Sequence, residues 1–412
     1  MEKNVFDLES RIKLLFSESQ REFNYKVNVA DISDAIFSFA LNNAGNKINL
    51  LCTDSDFSKI GLKVTSAIKK ACVEFSTFLI HDKAVDYISS KALFDFDGDV
   101  VLVLGNQNLI SVTSYYASIK NLKCYSVLTE PNFDYLFLPY TRVPVNGLPV
   151  NVSSCNVKEL FIDLEVIKKA SNTSFAESFL SSISKLVTLV DYKFHLLVKG
   201  EKFDSKSYNK IKQCISLVAD INSYTDKRDI LIYASAVLAT ERVKGNVLTD
   251  GIIELFSDVC SAFDKSLSYG KRVLSGLKSI VPIYEMLLIN DFTDILSTAN
   301  YNEDVSRLAT LTGRKEEFFR KHLQIPPVEE INKIKNILNK TRSGFIKEIE
   351  SILLVLKHIE DIYASLLKSL DYKKGIDYSI KKDATQLCTY LTSRKSLLSY
   401  ARDLGVLSCL KD

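Results

Sequence analysis

Five short apolar runs within the first 165 residues constrain the fold of this chain more than any other feature. They alternate with helix-like segments, and Gly, Asn, Asp or Pro bounds them. The runs are INLLC (48–52), FSTFLIH (75–81), DVVLVL (99–104), CYSVL (124–128) and ELFID (159–163). Their hydrophobicity is nearly continuous, which is typical of strands buried on both faces of a sheet. The pattern predicts a doubly wound, Rossmann-like α/β domain with a parallel sheet over residues 1–165.

One segment of this domain is rich in proline. Pro131, Pro139, Pro144 and Pro149 lie within EPNFDYLFLPYTRVPVNGLPV. Such a segment predicts either a long irregular excursion or a β-hairpin. In a doubly wound domain, an excursion of this kind often lies near the ligand crevice.

From residue 166 to residue 412 the pattern becomes helical, and we expect an all-α domain. Apolar residues recur at steps of three and four from Phe345 to Leu366, which predicts an amphipathic helix from 345 to about 369. We expect a break at 342–344 before it. This helix would pack in the core, against a copy of itself, or against a foreign partner. Further helices are predicted at 179–198, 207–223, 228–241 and 251–263.

Composition excludes several classes of protein. The net charge is +3 and no basic stripe appears, so we expect no nucleic-acid partner. The longest uncharged stretch, 100–119, contains the polar run 105–108, which argues against a membrane span. The acidic start argues against a signal peptide. The eight cysteines contain no CxxC pair, so we expect reduced, buried thiols and a cytoplasmic location.

A strand-to-helix step at DVVLVLGNQN is the first candidate site. The first N–H groups of a helix favour a phosphate, and glycines let the backbone approach it. Here Gly105 is followed by Asn106 and Gln107, so the generic dinucleotide signal is weak. Asp54 follows the first strand, where a carboxylate could bind ribose hydroxyls. The alternative for Asp54 is an ordinary turn residue, which we favour.

The order of domains and this step resemble the dehydroquinate synthase-like superfamily, which includes the iron-containing alcohol dehydrogenases. The nearest resemblance is to the sn-glycerol-1-phosphate dehydrogenases. Their Gly-Gly-Gly-x-x-x-Asp-x-x-Lys segment corresponds here to Gly105, Asn106, Gln107, Ser111 and Ser114. Their cofactor-contacting Pro-Thr-Thr-like step corresponds to CYSVLTEP. The resemblance therefore implies NAD(P) as cofactor, bound at Asp54, Gly105, Asn106, Gln107 and Thr129.

Three helical motifs of this family carry metal ligands. They correspond here to SSISKLVTLVDY, GIIELFSD and YGKRV, and the ligand positions hold Ser181, Glu254 and Tyr269 instead of Asp, His and His. A divalent cation needs several deprotonated or lone-pair donors. We therefore expect no bound zinc, iron or nickel, although neighbours such as Leu255 and Gly270 stay in register.

The sequence thus predicts a diverged, catalytically impaired relative of NAD(P)-dependent glycerol-1-phosphate dehydrogenase, a pseudoenzyme that acts as a binding or regulatory subunit. The alternative is an active NAD(P)-dependent oxidoreductase on a small polyol or polyol phosphate, with a rearranged site. A lyase or cyclase of the dehydroquinate synthase kind is a third interpretation. The expected partners are a small polyol phosphate and either a second copy of the chain or an active paralogue. No catalytic residue is assigned.

Overall fold

The computed structural model describes most of the chain. The described residues are 7–19, 26–81, 97–138, 140–145, 148–152, 157–220, 226–245, 247–248, 251–290, 301–322, 326–359, 368–370, 375–392 and 395–407. Of the sequence predictions, helical positions 221–223 and 360–367, together with Cys155 and Cys409, lie outside these residues.

The elements up to residue 168 alternate between helix and strand. They are α1 (Leu8–Ser19), β1 (Lys26–Val29), α2 (Ile32–Asn42), β2 (Ile48–Thr53), α3 (Asp54–Asp56), α4 (Leu62–Lys70), β3 (Phe75–Ile80), β4 (Val100–Gly105), α5 (Gln107–Ile119), β5 (Lys123–Leu128), β6 (Thr141–Val145), β7 (Leu148–Val152), β8 (Val157–Ile162) and α6 (Leu164–Lys168). A short π-helical segment at Phe57–Gly61 joins α3 to α4.

The remaining elements are helical. They are α7 (Asn172–Lys199), α8 (Ser205–Ala219), α9 (Lys227–Lys244), α10 (Ile252–Phe263), α11 (Tyr269–Ile289), α12 (Tyr301–Thr312), α13 (Glu316–His322), α14 (Val328–Lys357), α15 (Tyr378–Leu387) and α16 (Leu397–Asp403). Short 3-10 turns lie at Lys368–Leu370 and Cys388–Tyr390. Within the described ranges, every helix is too short or too polar to cross a membrane.

Six strands form one parallel sheet in the order β1-β8-β5-β4-β2-β3. Every residue of β2 and β4 is buried, as their continuous apolar sequences predict. The five predicted strands and the parallel sheet are confirmed. Strand β1 was not predicted, because it is a short, partly exposed edge strand with too few apolar residues to stand out.

The proline-rich segment contains a β-hairpin, which was one of the two predicted forms. Among the described residues, strands β6 and β7 pair with each other and form a separate two-stranded sheet. Proline is tolerated there because a two-stranded ribbon leaves one edge of each strand unpaired.

Helices α2 and α4 cover one face of the main sheet. Ile36, Phe39, Val64 and Ile68 pack there against buried strand residues such as Leu102. Burying each large aliphatic or aromatic side chain contributes about 1.5–3 kcal/mol relative to exposure. This packing fixes the sheet and therefore the positions of its carboxyl ends, where α/β folds bind ligands.

One carboxylate ties two loops at that edge. Asp163 follows β8, and its Oδ1 accepts hydrogen bonds from the backbone N–H groups of Glu165 and Val166, which cap α6. Its Oδ2 accepts from the N–H of Ile32 at 3.0 Å, which begins α2. Asp163 therefore holds the β1–α2 and β8–α6 connections together.

The predicted break before the long C-terminal helix is wrong. Helix α14 runs without interruption through residues 342–344. Its buried residues (Ile331, Ile334, Leu338, Phe345, Ile349 and Ile352) continue at three- and four-residue steps on both sides of Gly344. Their packing outweighs the roughly 1 kcal/mol that one glycine costs inside a helix.

The chain forms two compact units. The first comprises Met1–Val145, Pro149–Ser178 and Asn222–Gly245, and the second comprises Asn146–Leu148, Phe179–Ile221 and Asn246–Asp412. Helix α9 therefore groups with the sheet. The predicted division into domains 1–165 and 166–412 stays a prediction.

Candidate functional site

The predicted cofactor residues lie at the carboxyl edge of the parallel sheet. Gly105 ends β4, and Thr129 follows the neighbouring strand β5. The Thr129 N–H donates to the Gly105 carbonyl oxygen at 3.1 Å. Asp54 follows β2, the neighbour of β4 on its other side, and one of its carboxylate oxygens lies 3.0 Å from His81 Nδ1.

The side chain of Asn106 caps the N-terminus of α5. Asn106 is the N-cap residue, and its Oδ1 accepts hydrogen bonds from the N–H groups of Asn108 and Leu109, each at 3.1 Å. These N–H groups are among those that a pyrophosphate uses at a helix N-terminus. A phosphate would have to displace the Asn106 side chain, whose capping interaction is worth about 1 kcal/mol.

The space above Gly105 is also filled. A Cβ atom there would lie 2.8 Å from Leu109 Cδ2 and 3.2 Å from Leu109 Cβ. Leu109 therefore packs closely on Gly105, and a larger residue at 105 would require the Leu109 side chain to move. The next residue, Gln107, uses its Oε1 to accept a 3.3 Å hydrogen bond from the N–H of Tyr135. Gly105, Asn106 and Gln107 each have an intramolecular role at this step.

A buried charge cluster near this connection was missed from the sequence. Arg242 of α9 donates through Nη2 to Asp134 Oδ2 at 3.0 Å, and both side chains are almost completely buried. The Tyr135 ring lies 3.9 Å from the Arg242 guanidinium carbon and 4.8 Å from that of Arg142. Burial lowers the pKa of Arg242, but Tyr135 and Asp134 outweigh it and the pKa is raised. The sequence feature that could have revealed Arg242 is an arginine at the end of the mostly apolar helical segment LIYASAVLATER.

The second unit brings the three predicted metal positions close together. Ser181 lies on α7 and is 2% exposed, and Glu254 lies in the first turn of α10 and is 5% exposed. Tyr269 begins α11, and its hydroxyl donates to Ser181 Oγ at 3.4 Å. Ser181 and Tyr269 are therefore in contact, and their assignment with Glu254 as former ligand positions stays a prediction.

A lysine completes this group. Lys185 is one turn beyond Ser181 on α7 and is completely buried. Its ammonium forms an ion pair with the Glu254 carboxylate. Helix α10 can approach α7 because Gly251 precedes it, since a Cβ there would lie 2.6 Å from Thr188 Oγ1. The sequence shows both residues, but only the fold brings them into contact.

These donors do not fit a divalent metal. The single carboxylate is already neutralised by an ammonium, and the other two groups are neutral hydroxyls, which are poor ligands. Over the described ranges, no three His, Cys, Asp or Glu side chains are grouped as a metal site would require. The nitrogen Nδ1 of His195 is already used, because it accepts a 3.0 Å hydrogen bond from the Lys395 N–H.

Comparison with known proteins tests the resemblance. No protein-family model matches the chain. The glycerol-1-phosphate dehydrogenase [NAD(P)+] of Saccharolobus islandicus (strain L.S.2.15 / Lassen #1) is 23% identical over 135 residues, 33% of this chain. The chain spans only 38% of the length of that relative.

Solved structures match over nearly the whole chain. An alcohol dehydrogenase from an archaeal halo-thermophilic organism of a Red Sea brine pool superposes with a TM-score of 0.56 at 13% identity, over 94% of this chain and 97% of its own. An iron-containing alcohol dehydrogenase from Corynebacterium glutamicum gives 0.52 at 14% identity, over 93% and 95%. The fold is that of the iron-containing alcohol dehydrogenases. Both the predicted fold class and the predicted resemblance are confirmed, and the chain is related in fold to NAD(P)-dependent alcohol and polyol dehydrogenases.

Proposed function

We propose that this protein is a catalytically impaired relative of the glycerol-1-phosphate dehydrogenases that acts as a binding or regulatory subunit. The observation that carries the proposal is that the protein's own side chains occupy the N-terminus of α5. Asn106 accepts from the N–H groups that would face a pyrophosphate, and Leu109 packs closely against Gly105. A dinucleotide therefore has to compete with the chain's own side chains for this position.

The metal positions support the proposal independently. In the related enzymes the resemblance implies a divalent cation that polarises the substrate oxygen. Here Glu254 is committed to Lys185, and Tyr269 is bonded to Ser181. With these residues at the ligand positions, hydride transfer would lack the cation that stabilises charge on the substrate oxygen. The two losses affect separate sites in separate compact units, so one does not follow from the other.

The ligand expected of such a subunit is a small polyol phosphate, by analogy with the curated relatives, and its protein partner is a second copy or an active paralogue. Isothermal titration with sn-glycerol 1-phosphate and with dihydroxyacetone phosphate tests the first expectation. Size-exclusion chromatography with light scattering tests self-association.

The decisive experiment measures NAD(H) and NADP(H) binding by titration calorimetry, with turnover over a panel of ketones and dihydroxyacetone phosphate. We expect no turnover and cofactor affinity weaker than millimolar. The variant N106G frees the N–H groups of Asn108 and Leu109 at a cost of only a few tenths of a kcal/mol. It should bind NAD(H) more tightly than the wild type, whereas N106D, which retains a capping carboxylate, should not. Micromolar affinity and turnover in the wild type would falsify the proposal.

A second candidate is an active, metal-independent NAD(P)-dependent oxidoreductase on a small polyol or polyol phosphate. It is favoured by the 3.4 Å contact between the Tyr269 and Ser181 hydroxyls, one helical turn from the Lys185 ammonium. In such a reaction a hydride passes from NAD(P)H to the carbonyl carbon, and a hydroxyl proton passes to the carbonyl oxygen. NAD(P)H oxidation by a ketone in excess EDTA, lost in Y269F, would establish this candidate and exclude the first.

A further inference from the structure

A cavity between two helices of the second unit is separate from the candidate sites. It lies between α11 and α15 and has a volume of about 320 Å³. Cavities that hold small molecules usually enclose about 300–1,000 Å³. Ser279, on the α11 side of the cavity, lies ten residues beyond Tyr269, which is about 15 Å along a helix. A ligand here would therefore not occupy the position of the Tyr269 hydroxyl.

The α11 side of the cavity is mostly apolar. Ser279, Pro282, Ile283 and Met286 line it, and their spacing places all four on one face of the helix. Leu407, from the segment after α16, adds a further apolar wall. Such walls favour an alkyl chain, because burying each methylene group strengthens binding by about four-fold.

The α15 side of the cavity is basic. Lys381 and Lys382 line it together with Tyr378, which is 45% exposed. Lys381 Nζ lies 6.0 Å from the centre of the Tyr378 ring. Within the described part of the chain, neither ammonium forms an ion pair with a carboxylate. Two neighbouring cations of this kind attract an anion to the cavity.

The acidic residues beside these lysines in the sequence have partners of their own. Asp377 caps α15, and its Oδ1 accepts hydrogen bonds from the N–H and the hydroxyl of Ser379 at 2.8 and 2.6 Å. Asp383 forms an ion pair with Arg307. The positive charge of the two lysines is therefore available to a ligand.

We propose that this cavity binds a small amphipathic anion. Its alkyl chain lies against the apolar face of α11, and its carboxylate or phosphate lies at Lys381 and Lys382. A polyol phosphate fits less well, because its hydroxyls would be buried against apolar walls. The proposal depends on neither NAD(P) nor a metal ion, and it holds whether or not the protein is an active enzyme.

Titration calorimetry with sodium octanoate tests the chain and the charge separately. We expect one octanoate per protein chain, and an affinity that rises about four-fold per methylene group from hexanoate to octanoate. Octylamine has the same alkyl chain with the opposite charge and should bind at least ten-fold more weakly. Octyl phosphate, titrated in parallel, shows which of the two anionic headgroups the lysines prefer. Equal affinity for octylamine and octanoate would overturn the proposal, as would the absence of saturable binding of both anions.

A pair of charge variants tests the two lysines, with folding checked by circular dichroism. K381S/K382S should weaken octanoate binding at least ten-fold and should change the affinity for neutral 1-octanol by less than two-fold. The matched control is K333S/K340S, which removes the same charge from two exposed positions of α14. It should bind octanoate as the wild type does. Equal losses of octanoate affinity in the two double variants would refute the assignment of the headgroup to Lys381 and Lys382.

A fluorescence experiment locates the ligand. The chain contains no tryptophan, so one introduced indole is the only such fluorophore. Y378W places it at the cavity, and F203W places it at a position that is also 45% exposed. We expect 8-bromooctanoate to quench Y378W saturably and F203W only by collision. Equal quenching of the two variants would contradict the proposal. So would self-association, measured by light scattering, that M286E abolishes and octanoate does not affect, because it would assign the cavity to a second copy of the chain.

Discussion

The buried hydroxyl of Tyr284 allows a quantitative test of the second unit. It lies on α11 and donates to the carboxylate of Asp191 on α7, with both oxygens at 2.9 Å. Asp191 also accepts a 3.0 Å hydrogen bond from the N–H of Leu397, the first residue of α16. Burial, followed by the Asp191 charge, raises the pKa of Tyr284 well above its usual value. The phenol therefore stays protonated and donates at neutral pH.

Replacing Tyr284 by Phe removes the hydroxyl and keeps the ring. A hydrogen bond to a charged acceptor contributes about 1.5–3 kcal/mol. The hydroxyl has one proton shared between two oxygens, so we count one bond and expect a loss of about 2 kcal/mol. That corresponds to roughly a 30-fold shift in the unfolding equilibrium, and to a fall in Tm of about 4–8 °C for a unit of this size.

The assay is urea unfolding followed by far-ultraviolet circular dichroism, with the midpoint read at a constant slope. The control is Y378F, since Tyr378 is 45% exposed at the start of α15. It should change stability by less than about 0.5 kcal/mol. If Y284F unfolds at the wild-type midpoint, the hydrogen bonds to Asp191 do not stabilise the unit, and our account of how α7, α11 and α16 are joined is wrong.

Three further perturbations test other parts of the molecule. N106A removes the α5 cap and should cost about 1 kcal/mol by urea unfolding, clearly more than N106G; equal losses would show that the cap is not formed. D134A leaves the Arg242 charge buried and should cost about 3–5 kcal/mol, whereas D134M/R242M should cost much less, a difference measurable by calorimetry. Burial raises the pKa values of Cys52, Cys214 and Cys260 to about 12, so at pH 8 these thiols stay protonated. Among the six cysteines that the structure describes, iodoacetamide followed by peptide mass spectrometry should label exposed Cys72 first; faster labelling of Cys260 would contradict its burial.

The sheet could be predicted because each strand is marked by a short apolar run in the sequence. The five predicted strands have continuous apolar runs, and β2 and β4 are buried along their whole length. Each run is visible within five to seven residues. Edge strand β1 gives no such run because it has only four residues, KVNV, and none of them is fully buried. The break predicted near Gly344 shows the opposite error. Gly344 alone suggests a helix break, but the apolar residues of α14 keep their helical spacing on both sides of it, and the helix continues.

For the candidate sites, the sequence predicted the positions of the residues but not their side-chain contacts. The positions of Gly105, Asn106 and Gln107 at a strand end followed from the sequence. That Asn106 bonds to its own helix, and that Leu109 fills the space above Gly105, required side-chain geometry. Arg242 was missed because its partner, Asp134, is 108 residues away.

The strand-to-helix step and the helical second half were determined by the sequence alone, because each depends on residues close together along the chain. The assignment of Ser181, Glu254 and Tyr269 to former ligand positions came from the family resemblance and stays a prediction. The tertiary structure decided what those positions now do. Lys185 and Glu254 lie on different helices, and Ser181 and Tyr269 are 88 residues apart. No spacing rule connects them. They meet because α7, α10 and α11 bury their apolar faces together, and the polar groups left at the centre must then neutralise one another.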